Sequence, residues 1–271
     1  MGARGFGLAA AVPHEVIRAA ASACEALGYR TFWVNDTPDG DGLAALAAAA
    51  AVTSRIALGV GVLPLSRWTP ERIAERVREL DLPIERLRLG IGSRAGSGAL
   101  ERVRQGAQVL RAVLSCELVV AALGPRMCRL AGEVADAVLF NWLTPEFVDR
   151  STEWVRAGAV AAGRSLPQRY AYVRVALGQA ALPRLEDEAA RYERFPGYRE
   201  HFQRMGVPAR ATAIAVERAE DLSAALAPWE ERLDETVVRA VTANDRLDEV
   251  LALVEAAAPD GQLGSGGQGV S

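Results

Sequence analysis

IALGVGVL, residues 56–63, is a short apolar run, and Thr69-Pro70 opens the amphipathic stretch that follows it with a capping threonine and a first-turn proline. An apolar strand giving way to a capped helix predicts a βα unit, and the alternation extends in both directions. Upstream, the pattern predicts a strand over residues 5–10, a helix over 14–27 stopped by Gly28, a strand over 31–35 (TFWVN) and a helix over 43–53. Downstream come strands over 87–91, 118–123, 137–142, 170–177 (YAYVRVAL) and 235–241 (ETVVRAV). Helical stretches separate and close them, over 98–114, 125–135, 144–162, 183–205, 219–232 and 246–258.

Eight strands, each followed by helix, predict a (β/α)8 barrel, because parallel neighbours need crossover connections. A doubly wound sheet also alternates, but it typically carries a glycine-rich fingerprint after its first strand, where this chain has Ala11-Val12-Pro13-His14. The expectation is one α/β barrel domain over residues 1–259 and a flexible Gly/Ser-rich tail over 260–271.

Composition narrows the function. The 271 residues are 50% hydrophobic and 24% charged, which excludes disorder as the main state, and 31 basic against 34 acidic groups leave no basic excess for a nucleic-acid partner. Every basic residue is arginine, which removes Schiff-base, pyridoxal-phosphate and P-loop chemistry, all of which need lysine. Cys24, Cys116 and Cys128 are odd in number and lack CxxC spacing, and no secretory signal precedes the first strand, so a reduced cytoplasmic protein is expected. Two isolated histidines, His14 and His201, argue against a histidine metal site or a Ser-His-Asp triad. The longest apolar run, residues 43–52, is about half of the ~20 residues a membrane span needs.

Barrel active sites lie where strands end. The residues there are Val12-Pro13-His14, Asn35-Asp36-Thr37, Gly61-Val62, Gly92-Ser93-Arg94, Gly124-Pro125-Arg126, Asn141-Trp142, Gln179, and Thr242 with Asn244. Asp36 is the only carboxylate directly at a strand end and His14 the only imidazole near one, which makes them the candidates for catalysis; His14 reads equally as an exposed first-turn residue. Gly59 and Gly61 inside a strand mark either close approach of a ligand or tight packing within the barrel. Gly124-Pro125-Arg126-Met127 opens a helix whose free N–H groups and neighbouring arginine suit a phosphate or carboxylate; an ordinary proline-started helix with an exposed arginine reads the same way.

LGPRMCRLAGEVADAVLFNWLTPE, residues 123–146, resembles the bacterial-luciferase-like superfamily, specifically the branch that uses a deazaflavin coenzyme. Residues 20–36, 42–65, 76–93 and 171–178, DETVVRAV and the AAAP of residues 256–259 agree, so the resemblance covers nearly the whole chain. It implies a luciferase-like barrel that binds coenzyme F420 at its top and transfers hydride to or from a small organic substrate. The resemblance also implies a homodimer. By motif position, Asp36 stands beside the cofactor. Gly61 and Val62 match a strand-three bulge, often a non-proline cis peptide, behind the tricyclic ring. Gly92 and Ser93 lie at the strand-four end, Gly124, Pro125, Arg126 and Met127 match the phosphate-holding segment, and Asn141 and Trp142 line the pocket. The chain departs from the family in carrying Thr37 where many members have histidine, Gly92-Ser93-Arg94 where some have an acid, and Ala137 for glycine, and its connection between strands four and five is short. A short connection there implies a more open pocket. These departures keep two other readings in view: an FMN-dependent monooxygenase of the same superfamily, and a catalytically degenerate barrel that binds a flavin or nothing.

Overall fold

The computed structural model describes residues 2–93 and 96–259, so Arg94 and the expected tail over 260–271 lie outside the described residues. The strands are Ala3–Ala9 (β1), Thr31–Asn35 (β2), Ala57–Pro64 (β3), Leu87–Gly92 (β4), Glu117–Ala121 (β5), Ala137–Asn141 (β6), Gln168–Leu177 (β7), Ile214–Val216 (β8) and Glu235–Ala240 (β9). All pairings among them are parallel, and β1-β2-β3-β4-β5-β6-β7-β9 closes on β1 as an eight-stranded ring. This is a (β/α)8 barrel, as the alternation predicts. The short β8 was not legible in the sequence; it adds to the far end of β7, outside the ring.

The helices are His14–Ala26 (α1), Gly42–Ala50 (α2), Pro70–Glu79 (α3), Ala99–Val113 (α4), Pro125–Val134 (α5), Pro145–Ala161 (α6), Leu182–Glu193 (α7), Pro196–Met205 (α8), Leu222–Glu230 (α9) and Leu247–Ala256 (α10). Their starts follow side-chain chemistry. Thr69 Oγ1 accepts the Arg72 N–H at 3.2 Å ahead of α3, and Asp41 accepts the N–H groups of Leu43 and Ala44 at 2.9 and 3.0 Å ahead of α2. The single helical stretch expected over 183–205 is two helices, because Pro196 lacks an N–H to continue α7 and holds Phe195 extended at φ −76°, ψ 124°. The two make a hairpin between β7 and β8.

Alternate residues of each strand face inward, and the interior fills in layers. At the N-terminal end of the barrel Glu235, fully buried, accepts from Thr31 Oγ1 at 3.1 Å, from Trp33 Nε1 at 2.8 Å and from Arg88. The Arg88 guanidinium lies 4.9 Å from the centre of the Tyr170 ring, and the Tyr170 hydroxyl donates to Glu117 at 2.8 Å. A charge so deep is tolerable only when paired and hydrogen-bonded. Above this layer Trp33, Val119, Leu139, Tyr172 and Val237 form an apolar plug.

Candidate functional site

The last inward layer, at the carboxyl ends of the strands, consists of Ala9, Asn35, Gly61, Gly92, Ala121, Asn141, Arg174 and Arg239. Half of the mouth is therefore small and half polar. Asn35 ties the two halves, its Nδ2 donating to the Gly61 carbonyl at 2.7 Å and its Oδ1 accepting from Arg239 Nε at 2.6 Å. Arg239 also donates to the Ala240 carbonyl. The Gly61–Val62 peptide is cis, and the β3–β4 register shifts there between Val60 and Leu63.

The glycines of β3 answer the question the sequence left open. A methyl group on Gly59 would overlap the Trp33 ring, and one on Gly61 would overlap the Tyr172 hydroxyl. Both glycines are space for interior side chains. The Tyr172 hydroxyl has no hydrogen-bond partner although the residue is buried, and burial holds its pKa far above the ordinary phenol value despite nearby Arg239 and Arg174.

Arg174 donates to Asn141 Oδ1 and, from Nε, to Glu188 of α7 at 3.1 Å, and its guanidinium sits 4.0 Å from the centre of the Trp142 ring. Asn141 Nδ2 in turn donates to the Tyr198 hydroxyl of α8 at 2.8 Å. Trp142, buried and at φ +53°, packs against Tyr192 and Phe202. The α7–α8 hairpin thus roofs the β6–β7 side with aromatic rings. The short connection after β4 implied a more open pocket; on this side the cover comes from a different crossover.

Asp36 is placed with its carboxylate committed. Oδ1 accepts the Gly42 N–H at 3.0 Å, Oδ2 accepts Trp68 Nε1 at 3.0 Å and Arg67, and the side chain has no exposure. His14 is exposed at the first position of α1. Gly92 is buried at the end of β4, and Ser93 follows it half-buried, accepting from Arg102 Nε at 3.4 Å. The other imidazole, His201 on α8, is buried and donates from Nε2 to the Trp142 carbonyl at 2.8 Å. Burial lowers its pKa to about 4 against partial support from backbone carbonyls, with Arg204 adding to the depression. Desolvation likewise pushes the Cys116 and Cys128 thiols up, to about 11 and about 12, far from nucleophilic range.

At the start of α5, Gly124 caps the helix without a side chain, Pro125 occupies the first turn, Met127 is half-buried and Arg126 is exposed. The arginine that meets this helix end is Arg204 from α8. Its guanidinium atoms lie 3.6–3.8 Å from the point where a Gly124 Cβ would stand, and its Nη1 is buried without a partner. Sequence reasoning did not find Arg204, because nothing in the sequence brings α8 onto α5. Arg174 and Arg239 were missed too, although both sit at inward registers of buried strands, a signal that strict alternate counting would have exposed.

These residues fit a flat cofactor carrying a phosphate. N–H groups at the start of α5 and the Arg204 guanidinium, whose Nη1 has no partner among the described residues, suit the anion, and the small residues Ala9, Gly61, Gly92 and Ala121 present a flat backbone face on which a planar ring can lie. An open depression of about 710 Å³ at the opposite end of the barrel includes Arg169 and Asp234, which pair at 2.9 Å; barrel active sites lie at the other face. Among the described residues no cluster of three or more His, Cys, Asp or Glu side chains is set to hold a metal, and no helix is long and apolar enough to cross a membrane.

Residues 3–112, from β1 through most of α4, match the luciferase-like monooxygenase family model, and no curated protein sequence matches. The match ends ahead of residues 123–146. Among solved structures, an F420-dependent secondary alcohol dehydrogenase in complex with an F420–acetone adduct superposes with a TM-score of 0.73 at 15% identity, over 94% of this chain and 99% of that one. The monooxygenase RslO1 from Streptomyces bottropensis gives 0.72 at 19% identity, over 95% and 98%. The FMN complex of the oxygenating component of 3,6-diketocamphane monooxygenase from Pseudomonas putida gives 0.70 at 14% identity, over 94% and 97%. Residues 3–112 thus match the luciferase-like monooxygenase model, and the whole chain shares the barrel fold of these structures.

Proposed function

We propose that this protein is an oxidoreductase that binds the deazaflavin coenzyme F420 at the barrel mouth and acts on a small organic substrate. The observation that carries the reading is the meeting of the Gly124 helix end with the unpartnered Arg204 guanidinium, a preformed anion cradle beside a mouth lined on one half by small residues. Bound there, F420 would supply a hydride donor or acceptor at carbon 5 of its ring.

The chain's own groups have distinct parts. Gly124, Pro125, Arg126 and Met127, with Arg204, hold the phosphate through backbone N–H groups and charge. Gly61, Val62, Gly92 and Ser93 form the wall against which the ring rests, and Asn141 and Trp142 close the pocket under the α7–α8 roof. Asp36 acts indirectly, since its three donors fix the loop that shapes the rim. Tyr172, held protonated by burial, offers a hydrogen to whatever polar atom reaches the floor.

Fluorescence titration of the cofactor-free protein with F420 and, separately, with FMN tests this. Saturable F420 binding is expected, weakened roughly 10- to 100-fold in Arg204→Ala, the range for losing a charge-assisted hydrogen bond. Preference for FMN moves the reading to a flavin monooxygenase, which the same cradle accommodates because FMN also carries a phosphate. Binding of neither overturns the proposal.

A further inference from the structure

We propose that the β7–β9 side of the mouth is a carboxylate-binding subsite, so that the substrate of the oxidoreductase proposed above, on which this inference rests, carries a carboxylate. Arg174 and Arg239 stand directly opposite each other in the β7–β9 ladder. Like charges at facing sheet positions repel, and the more so away from bulk water. A single carboxylate answers both. Glu188 accepts from Arg174 at 3.1 Å, and although its own burial opposes ionisation, Arg174 and then Arg239 hold it ionised.

The other acceptors at this pair are uncharged: Asn141 Oδ1 for Arg174, Asn35 Oδ1 and the Ala240 carbonyl for Arg239. Two guanidiniums against one carboxylate leave one positive charge in excess. It resides on Arg239, which is half-buried and has no ion-pair partner among the described residues. Two strand-tying arginines would need no such excess, whereas a site awaiting an anion does. Across the mouth stand Gly61, Gly92 and Ala121, with Ala9 on the adjoining β1, none of which sets a bulky side chain of its own against a ligand's body, and below lies the unpartnered hydroxyl of Tyr172. A guanidinium fork matches a planar carboxylate in charge and geometry. The phosphate cradle at Gly124 belongs to the β5 side and leaves this charge unanswered.

The test is thermal-shift titration of the cofactor-free protein with benzoate and succinate against benzamide and succinamide, repeated in saturating FMN. Carboxylates are expected to raise Tm saturably in at least one condition and to bind at least about tenfold more tightly than the amides. Arg239→Gln removes the preference, Arg239→Lys retains part of it, and Arg18→Gln on exposed α1 leaves it intact. F420 binding by Arg239→Gln should match the unmodified protein. Equal response to carboxylate and amide in both conditions, or an unchanged preference in Arg239→Gln, overturns the subsite, and loss of F420 binding in Arg239→Gln reassigns the arginine to the cofactor. Should Arg239→Gln not fold, Arg239→Lys and the carboxylate–amide contrast in the unmodified protein decide. Failure to bind either cofactor overturns the proposed oxidoreductase, yet the carboxylate arms, run without cofactor, still report on Arg239.

Discussion

Gly59 shows how one atom of side chain governs the interior. Its missing methyl is the space into which the Trp33 ring fits, and Trp33 in turn hands its indole N–H to Glu235. Gly59→Ala must displace a fully buried tryptophan from both its packing and its hydrogen bond. Overpacking of this kind costs about 1–3 kcal/mol, and urea unfolding should place the variant's midpoint below that of the unmodified protein by a corresponding amount. Of the two readings open in the sequence, close approach of a ligand and tight packing within the barrel, Gly59 follows the second, because the Trp33 ring occupies its side-chain space.

At the scale of elements, Asp36 is the joint between β2, α2 and the loop before α3. It receives the first N–H of α2, the Trp68 indole and Arg67, which itself donates to the Thr37 carbonyl at 2.7 Å. Removing a buried acceptor with three donors leaves each donor unmet, so Asp36→Ala is expected to cost about 2–4 kcal/mol in chemical unfolding. Asp36→Asn, which keeps an acceptor oxygen, should lose less. The same residue attracted attention in the sequence as the only carboxylate at a strand end. Its position was legible there; its partners were not, since Arg67 and Trp68 reach it only through the β3–α3 turn. The α7–α8 break was legible in principle at Pro196, and the period of the flanking residues concealed it.

Over the whole molecule, the clearest pH dependence comes from His201, which α8 buries against the end of β6. Its folded pKa of about 4 lies below the ordinary histidine value of about 6.5. Between these values the unfolded chain binds a proton that the folded chain does not, so stability falls as pH drops through this window and the loss is complete near pH 4. The term amounts to roughly 3 kcal/mol at most. Tm measured from pH 7 to pH 4.5 should decline more steeply in the unmodified protein than in His201→Gln, and parallel curves would remove His201 from the account.

The sequence by itself determined the barrel. Alternation of apolar strand and capped helix is a local property, repeated eight times, and the closed parallel ring is the arrangement that buries such strands under their crossover helices. It also determined where the strands end, and with that the face on which the Gly124 helix opens. Only the tertiary structure decided which charges meet there. Arg204 reaches Gly124 from α8, Arg174 faces Arg239 through ladder register, and Glu188 of α7 pairs with Arg174. Hydrophobic period fixes how each segment folds because its neighbours in sequence carry the signal; pairing among distant charges depends on how the segments dock, which no local period encodes.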